Sequence, residues 1–147
     1  MERVYHYLID EEGGLWIEGT QLTDPKVLKF FMRTMEPGPG GNFLVNCLGE
    51  KNIIRAQDVP YVVQGLDWNE AGIELIFPGG YREVLDPDTL FVGEKNVMYC
   101  KVRGGKFTAR FQRKPYLELA RHIEGKLGQG FFLKYRGQKY AIGGNIQ

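Results

Sequence analysis

Apolar and polar residues follow the same order in two separate parts of the chain. Each part starts with an alternating, strand-like run after a Gly-Gly pair and continues with apolar residues at helical spacing. Each then ends in two strand-like runs joined by a glycine-containing turn. The parts cover residues 13–56 and 104–143, and corresponding positions stay roughly 90 residues apart. We therefore predict an internal repeat.

Each part of the repeat predicts one helix. In the first part, Asp24 can cap a helix that has Pro25 at its first position, and an apolar stripe follows up to Met35. In the second part, the spacing predicts a helix over residues 115–126, with His122 on its solvent side. The residues before this second helix include no good side-chain cap, so the two helices are not expected to be equivalent.

Residues 57–103 lack helical periodicity and contain many turn residues. Strand-like runs at residues 61–66 and 73–77 are separated by a short polar segment, and further short strands follow. Short connections predict antiparallel pairing. The fold prediction is a single compact α+β domain over residues 1–147. In it, two strand–helix–β-hairpin repeats flank a central antiparallel β meander, and two main helices pack on sheet faces.

The composition is typical of a globular protein with a packed core. Of the 147 residues, 43% are hydrophobic, and no apolar run reaches the roughly 20 residues of a membrane span. The first residues lack the pattern of a signal peptide. Cys47 and Cys100 lie in strand-like runs without metal-ligand spacing. We therefore expect reduced, buried thiols and a cytoplasmic protein without a membrane partner.

The net charge of +1 conceals an uneven distribution of charge. Residues 1–100 contain 8 basic and 16 acidic residues, whereas residues 101–147 contain 11 basic and 2 acidic residues. We favour an arrangement in which the basic segment packs beside the acidic one, so that the charges largely cancel. The alternative is nucleic-acid binding through the basic residues of segment 101–139.

Alternation within the basic segment predicts a two-faced strand. Phe107, Ala109 and Phe111 fall on one face, and Arg110 falls on the other with further polar and basic residues. The polar face is expected to be the solvated side of a half-buried sheet, or a surface that holds an acidic ligand.

Few residues support catalysis, metal binding or cofactor binding. The chain has two histidines, His6 and His122, and a metal site would require them to converge with a distant carboxylate. The glycine-rich segments at residues 38–42 and 125–130 are not expected to start helices, which argues against a phosphate-binding loop. We predict no metal and no cofactor, and we favour a protein that is not an enzyme over an enzyme.

Asp58 is the carboxylate with the clearest context, because it precedes Pro60 and an apolar strand. Its side chain can accept hydrogen bonds from backbone amides and fix the entry into that strand. We favour this structural role over catalysis, for which Asp58 would need a raised pKa in a cleft. A hydrolase that uses Asp58 with another carboxylate or a histidine is the enzymatic alternative.

Three segments, GLWIEG, QDVPYVV and RFQRKPYLELARHIE, carry a resemblance to a known family. With them, the chain resembles the bacterial domain of unknown function family 1285. Its members show a Gly–aromatic strand, a helix, a hairpin leading to an Asp-x-Pro-aromatic segment, and a late Arg-x-x-Tyr-Glu-Leu helix start. The matching positions are Trp16, Gly19, Asp58, Pro60, Tyr61, Val62, Arg113, Tyr116, Glu118 and Leu119, with one extra residue inside the last motif. The resemblance implies a soluble bacterial α+β protein and brings no established activity or catalytic residue.

Taken together, these patterns predict a binding module. We expect a small ligand or a protein partner to bind in the groove between the repeats. The candidate ligand-binding residues are Asp58, Tyr61, Arg110, Arg113 and Tyr116. Because small antiparallel sheets leave edges that can pair with another chain, a homodimer is a further expectation.

Overall fold

The fold combines two α-helices with four β-sheets. This computed structural model describes residues 3–144, in which the helices are α1 (Pro25–Thr34) and α2 (Arg113–Ala120). Neither helix is long and apolar enough to cross a membrane. The described strands form sheets of six, three, five and three strands. The predicted α+β class is confirmed, whereas the repeat and the single-domain organisation stay predictions.

The first sheet has six strands. Its hydrogen-bonded order is β3 (Thr20–Leu22), β2 (Leu15–Ile17), β1 (Val4–Ile9), β6 (Glu50–Ala56), β5 (Phe43–Cys47) and β4 (Glu36–Pro37). β1 and β6 are parallel, and the other pairs are antiparallel. Alternation along β5 and β6 buries Val45 and Ile54 completely. The predicted hairpin around Gly49 is confirmed by the pairing of these two strands.

The second sheet is an antiparallel meander. It contains β8 (Gly65–Asn69), β9 (Gly72–Ile76) and β10 (Arg82–Val84). The strand predicted over residues 61–66 is wrong in its extent, because β7 (Tyr61–Val63) ends before Gln64 and β8 starts after it. The chain leaves one sheet and enters another at this exposed glutamine, which a continuous apolar run does not reveal.

The third sheet joins distant parts of the chain. Its order is β17 (Gly143–Gly144), β11 (Phe91–Val92), β12 (Met98–Val102), β13 (Phe107–Phe111) and β7. The predicted alternation of β13 is confirmed. However, β7 is parallel to β13 and β11 is parallel to β17, so a wholly antiparallel central section is wrong. Short connections determine pairing between consecutive strands, and these parallel partners are far apart in sequence.

The fourth sheet corrects the predicted second helix. It contains β14 (Ile123–Lys126), β15 (Gly130–Tyr135) and β16 (Gln138–Ala141), whereas a helix was expected over residues 115–126. Gly125 has a φ of +144°, and a Cβ there would come 2.3 Å from the carbonyl oxygen of Gly130. This close strand pairing is open only to glycine. His122 consequently follows the helix, and its ring packs against Trp68 with centroids 4.5 Å apart.

Helix α1 is fixed at its start by a cap and a close turn. As predicted, the side chain of Asp24 accepts a hydrogen bond from the amide of Lys26, at 2.9 Å. The turn around Gly79 packs directly on the helix, and a Cβ at Gly79 would come 2.3 Å from the amide nitrogen of Lys29. This turn is one of the 3-10 turns that link strands, which are Pro39–Gly41, Pro78–Gly80, Pro87–Thr89 and Glu94–Asn96.

The end of helix α1 is fixed by Arg103. Its guanidinium donates hydrogen bonds to the carbonyl oxygens of Met32 and Met35, at 3.3 and 2.8 Å. It also donates to the hydroxyl of Tyr61 at 2.9 Å, and that hydroxyl donates to the Met32 carbonyl. The last carbonyls of a helix lack partners within the helix, so these contacts satisfy them and join α1 to the third sheet.

Helix α2 has fewer anchors. As predicted, no side chain of the described chain caps its N-terminus. Gln112 occupies the capping position, but its side chain donates to the carbonyl oxygen of Glu12 at 2.8 Å instead. The two parts of the predicted repeat also differ in topology. The hairpin after α1 joins the same sheet as the strands before α1, whereas the hairpin after α2 belongs to a sheet of its own.

Candidate functional site beside the second helix

Two adjoining cavities open beside α2, and together we name them the α2 cleft. The larger cavity, the apolar chamber, has a volume of about 550 Å³. The smaller cavity, the polar chamber, has a volume of about 240 Å³. The chambers share Asn96, Met98 and Tyr116 as wall residues. The volume of the larger cavity lies in the range that is typical of small-molecule sites.

The apolar chamber is enclosed by the third sheet, α2 and the hairpin that follows α2. Val92 and Met98 are paired across β11 and β12, and together with Ile142 they are at most 8% exposed. The other wall residues are Asn96, Tyr116, Ala120, Ile123, Glu124, Gly125 and Phe131. Because most of these side chains are aliphatic or aromatic, the chamber suits an apolar group.

The polar chamber lies at the start of α2 and carries charges of both signs. Arg110 reaches it from β13, Arg113 from the first position of α2, and Lys95 from the turn before β12. Glu11 and Glu12 reach it from the turn between β1 and β2. The remaining wall residues are Asn96, Val97, Met98, Phe111, Gln112 and Tyr116.

The turn that carries the two glutamates is held by Asp10. Its carboxylate accepts hydrogen bonds from the amides of Glu12 and Gly14, at 2.9 and 2.8 Å, and from the indole of Trp16 at 2.7 Å. Burial acts to raise the pKa of Asp10, but these hydrogen bonds outweigh it and hold the pKa below its usual range. The ionised side chain of Asp10 therefore fixes this wall of the polar chamber.

Asp58 lines neither chamber, but it binds Arg110, which lines the polar chamber. Its Oδ2 accepts hydrogen bonds from Arg110 Nη1 at 2.8 Å and from the Tyr99 hydroxyl at 2.7 Å. The prediction that this carboxylate accepts backbone amide hydrogens is wrong, because these two side chains are its partners in the described chain. Both partners lie on strands remote from Asp58 in sequence, so spacing gives no signal for the cluster.

The cluster around Asp58 is already satisfied. Burial, followed by the hydrogen bond to Asp58, raises the pKa of Tyr99 to about 12. The phenol therefore stays protonated at neutral pH and donates to the carboxylate, while Arg110 neutralises its charge. Glu11 Oε2 lies 4.0 Å from Arg110 Nη2 on the chamber side.

The structure brings three of the five predicted ligand-binding residues together. Arg110, Arg113 and Tyr116 line the polar chamber, and Asp58 is attached to it through Arg110. Tyr61 lies elsewhere, because its side chain is completely buried and its hydroxyl is used at the end of α1. In the sequence, a tyrosine within an apolar strand gives the same pattern whether its side chain lines a cavity or is buried in the core.

Sequence reasoning missed Glu12, Lys95, Met98 and Phe131, which also line the cleft. In the sequence, Glu12 is a turn residue, and Met98 and Phe131 are members of apolar strands. Only the tertiary arrangement of the β1–β2 turn and of the third and fourth sheets around α2 brings these residues to one cleft.

Several charged side chains of the polar chamber have no partner in the chain. Arg113, Lys95 and the carboxylate of Glu12 form no hydrogen bond or ion pair with any residue in the described range 3–144. Arg110, in contrast, is paired and its side chain is 21% exposed. The unpaired groups are therefore the ones available to a ligand.

Part of the basic C-terminal segment faces acidic residues. Arg103 Nη2 and Lys106 Nζ lie 3.4 and 3.5 Å from the carboxylate oxygens of Glu36, and Arg110 is paired with Asp58. These pairs agree with the favoured interpretation, in which basic and acidic segments pack together. Nucleic-acid binding through the remaining basic residues stays a prediction.

The cysteines and histidines lie in separate places. Cys100 is completely buried, which raises the pKa of its thiol to about 12, so the reactive thiolate is scarce at neutral pH. Cys47 is free but only half-buried, where full burial was expected. His6 lines a cavity of about 500 Å³ on the first sheet, away from His122 on Trp68. Residues 3–144 contain no group of three or more His, Cys, Asp or Glu side chains that could hold a metal ion.

Comparison with known proteins identifies the fold. No protein-family model and no curated protein matches the chain. A solved DUF1285 family protein from Silicibacter pomeroyi DSS-3 is similar with a TM-score of 0.70 and 19% identity, over 96% of this chain and 82% of the other. A DUF1285 family protein from Shewanella baltica OS155 is similar with a TM-score of 0.64 and 14% identity, over 78% of this chain and 90% of the other.

The chain has the DUF1285 fold. This finding confirms at the level of the fold the resemblance that the three sequence segments predicted. The sources of the two structures suggest a bacterial origin. At these identities the DUF1285 fold transfers no function, because one fold can carry unrelated activities. Function must therefore be argued from the α2 cleft itself.

Proposed function

We propose that this protein is a non-enzymatic module that binds a small ligand in the α2 cleft. The observation that supports this proposal is the junction of an apolar chamber of about 550 Å³ with a chamber that holds unpaired charged side chains. Such a combination provides apolar contact area together with a few polar groups that fix orientation. The cleft lies beside the second part of the predicted repeat, and the turn after β1 completes its polar end.

We propose a non-enzymatic role because the candidate catalytic carboxylate, thiol and imidazole are bound to other side chains or buried. Asp58 is bound to Arg110 and Tyr99, and the Cys100 thiol is buried and protonated. His122 packs on Trp68. A general base or nucleophile has to be within reach of its substrate in the reactive protonation state, and none of these groups lines the cleft.

A protein partner is less well supported than a small ligand, because apolar wall residues of the larger cavity are largely buried. Val92 and Met98 are 6% and 2% exposed, so a flat protein surface would not reach them. A small molecule can enter such a chamber, and this favours the first of the two partner classes predicted from the sequence.

The experiment is a thermal-shift screen of a metabolite panel with two variants on the same helix. Ala120→Phe fills the apolar chamber, whereas Leu117→Phe adds the same ring at an exposed position outside the cleft. We expect ligands that raise the melting temperature of the wild type and of Leu117→Phe, with the shift abolished in Ala120→Phe. Equal shifts in all three proteins would place the site elsewhere and contradict the proposal.

A further inference from the structure

The charges of the polar chamber indicate which class of ligand the cleft takes. Resting on the proposed function, we infer that the ligand is an amphipathic zwitterion: an α-amino acid type of head group joined to an extended apolar body. The head group would occupy the polar chamber, and the body would occupy the apolar chamber.

The first step is the balance of charge at the head-group position. Arg110 is neutralised by Asp58 at 2.8 Å, and what remains in the polar chamber is two cations and two carboxylates. The cations are Arg113 and Lys95. The carboxylates are Glu11, which lies 4.0 Å from Arg110, and Glu12, whose side chain has no partner within residues 3–144.

A head group with charges of both signs fits this balance. A ligand ammonium group can pair with a glutamate while its carboxylate pairs with Arg113, whose guanidinium can bind a carboxylate in a bidentate manner. A simple anion would leave Glu12 without a partner and would be repelled by both glutamates. A phosphate, with more negative charge, would be repelled more strongly.

The second step is the connection between the chambers. Met98 and Tyr116 belong to the walls of both, so the chambers adjoin along these two side chains, and the inferred ligand would extend past them. The hydroxyl of Tyr116 forms no hydrogen bond within the described chain and can serve the ligand at this junction. The one acid of the apolar chamber, Glu124, has Lys134 at 3.5 Å, so it does not require a ligand cation.

The test uses four ligands with the same eight-carbon chain. They are 2-aminooctanoate as zwitterion, octanoate as anion, octylamine as cation and 1-octanol as neutral control. Affinity is measured by NMR titration of the full chain, and the amide shifts of residues around Met98 and Tyr116 report the site. We expect 2-aminooctanoate to bind at least about tenfold more tightly than each of the other three.

Two variants test which wall residue binds each charge of the ligand. Arg113→Gln should bring the affinity for 2-aminooctanoate down towards that for octylamine. Glu12→Gln should bring it down towards that for octanoate. The exposed Lys114→Gln serves as the matched control, because Lys114 is the neighbour of Arg113 on α2 but does not line the cleft. It should leave the affinity unchanged.

The outcomes separate this inference from the proposed function. Equal affinity for all four ligands, or a preference for octanoate that Glu12→Gln does not change, would overturn the zwitterion assignment and leave a ligand site in the cleft. If none of the four ligands shifted the amides of the α2 cleft, both the assignment and the small-ligand function would be refuted.

Discussion

Helix α1 has its polar ends satisfied by residues from elsewhere in the fold, whereas helix α2 begins without a side-chain cap beside an open cleft. Asp24 caps the start of α1, and Arg103 binds the carbonyl groups at its end. At the start of α2, Gln112 bonds to a different turn and Arg113 has no partner in the described chain. The difference is consistent with the proposed function: side chains at the ends of α1 stabilise the fold, whereas Arg113 at the start of α2 is left for the ligand that we propose.

The largest loss of stability is expected when α1 is pushed away from the turn around Gly79 that packs on it. In Gly79→Ala, the new Cβ would lie 2.3 Å from the amide nitrogen of Lys29, on a residue with a φ of +77°. We expect a loss of about 3 kcal/mol or more in the free energy of unfolding, measured by denaturant titration.

Gly80→Ala is the matched control for this substitution. Gly80 also has a positive φ, of +80°, but nothing lies within 4 Å of its Cβ position. Its cost should be limited to the backbone strain of about 1–2 kcal/mol. Similar losses in both variants would show that the close contact with α1 is not the cause.

Removing Arg103 should have the next largest effect. Arg103→Met keeps much of the side-chain volume but leaves the Met35 carbonyl and the Tyr61 hydroxyl without the Arg103 donor, and leaves the Met32 carbonyl with Tyr61 as its remaining side-chain donor. Because the Arg103 side chain is 15% exposed, we expect about 2–3 kcal/mol of destabilisation in a chemical denaturation experiment. Lys106→Met removes another partner of Glu36. Because the Lys106 side chain is 57% exposed, this substitution should cost less than about 0.5 kcal/mol. A comparable cost for both would argue against Arg103 as the anchor.

The pH dependence of stability tests whether the ionised side chain of Asp10 holds the β1–β2 turn in the cleft wall. Its folded-state pKa is lowered, so its contribution to stability is present above the carboxyl pKa of the unfolded chain and is lost as pH falls through the folded pKa. At pH 7, Asp10→Asn should cost about 1.5 kcal/mol through weaker hydrogen bonds. Melting curves of the two proteins should converge in acid. A difference in melting temperature between the two proteins that stayed constant down to pH 2 would contradict the lowered pKa of Asp10.

The helix starts offer a smaller and direct comparison. Asp24→Ala removes the cap of α1 and should cost about 1 kcal/mol. Gln112→Ala, at the corresponding position of α2, should cost less than about 0.5 kcal/mol because its side chain bonds to an exposed turn. Thermal melts of both variants measure the difference, and a reversed order would refute the description of α1 as the capped helix.

The smallest expected effect on stability is at the cleft. Arg113→Gln should change the free energy of unfolding by less than about 0.5 kcal/mol, because the guanidinium has no partner in the described chain. The same variant is expected to weaken ligand binding. A clear loss of stability would mean that Arg113 has a structural role, and the contrast between the two helices would then be weaker.

Local signals explain which elements could be predicted from the sequence. Asp24 and Pro25 mark the start of α1, and its apolar stripe ends at Met35, so this helix was predicted within one residue. The end of α2 was missed because Leu119 and Ile123 have helical spacing although Gly125 is paired in a strand. Periodicity alone does not distinguish a helix from a turn followed by a short strand.

The candidate site depended on contacts that no local signal carries. Arg110, Arg113 and Tyr116 were predicted because basic and aromatic residues cluster in one segment, and the structure places all three on one cavity wall. The partners of Asp58 and the apolar floor around Met98 come from strands that meet only in three dimensions. Unpaired charges such as Lys95 could not be recognised, because pairing depends on the surroundings of a side chain and not on its neighbours in sequence.

The parallel pairs of the third sheet have a consequence for the folding rate. Residues 61–63 must find residues 109–111, and residues 91–92 must find residues 143–144, before this sheet is complete. Each pairing closes a long loop, and loop closure costs conformational entropy before the contacts can compensate for it. A chain with such a large share of non-local pairing is expected to fold in milliseconds to seconds, far more slowly than a helical bundle of the same length. The slow step would be the closing of these two long-range pairs, after the local hairpins have formed.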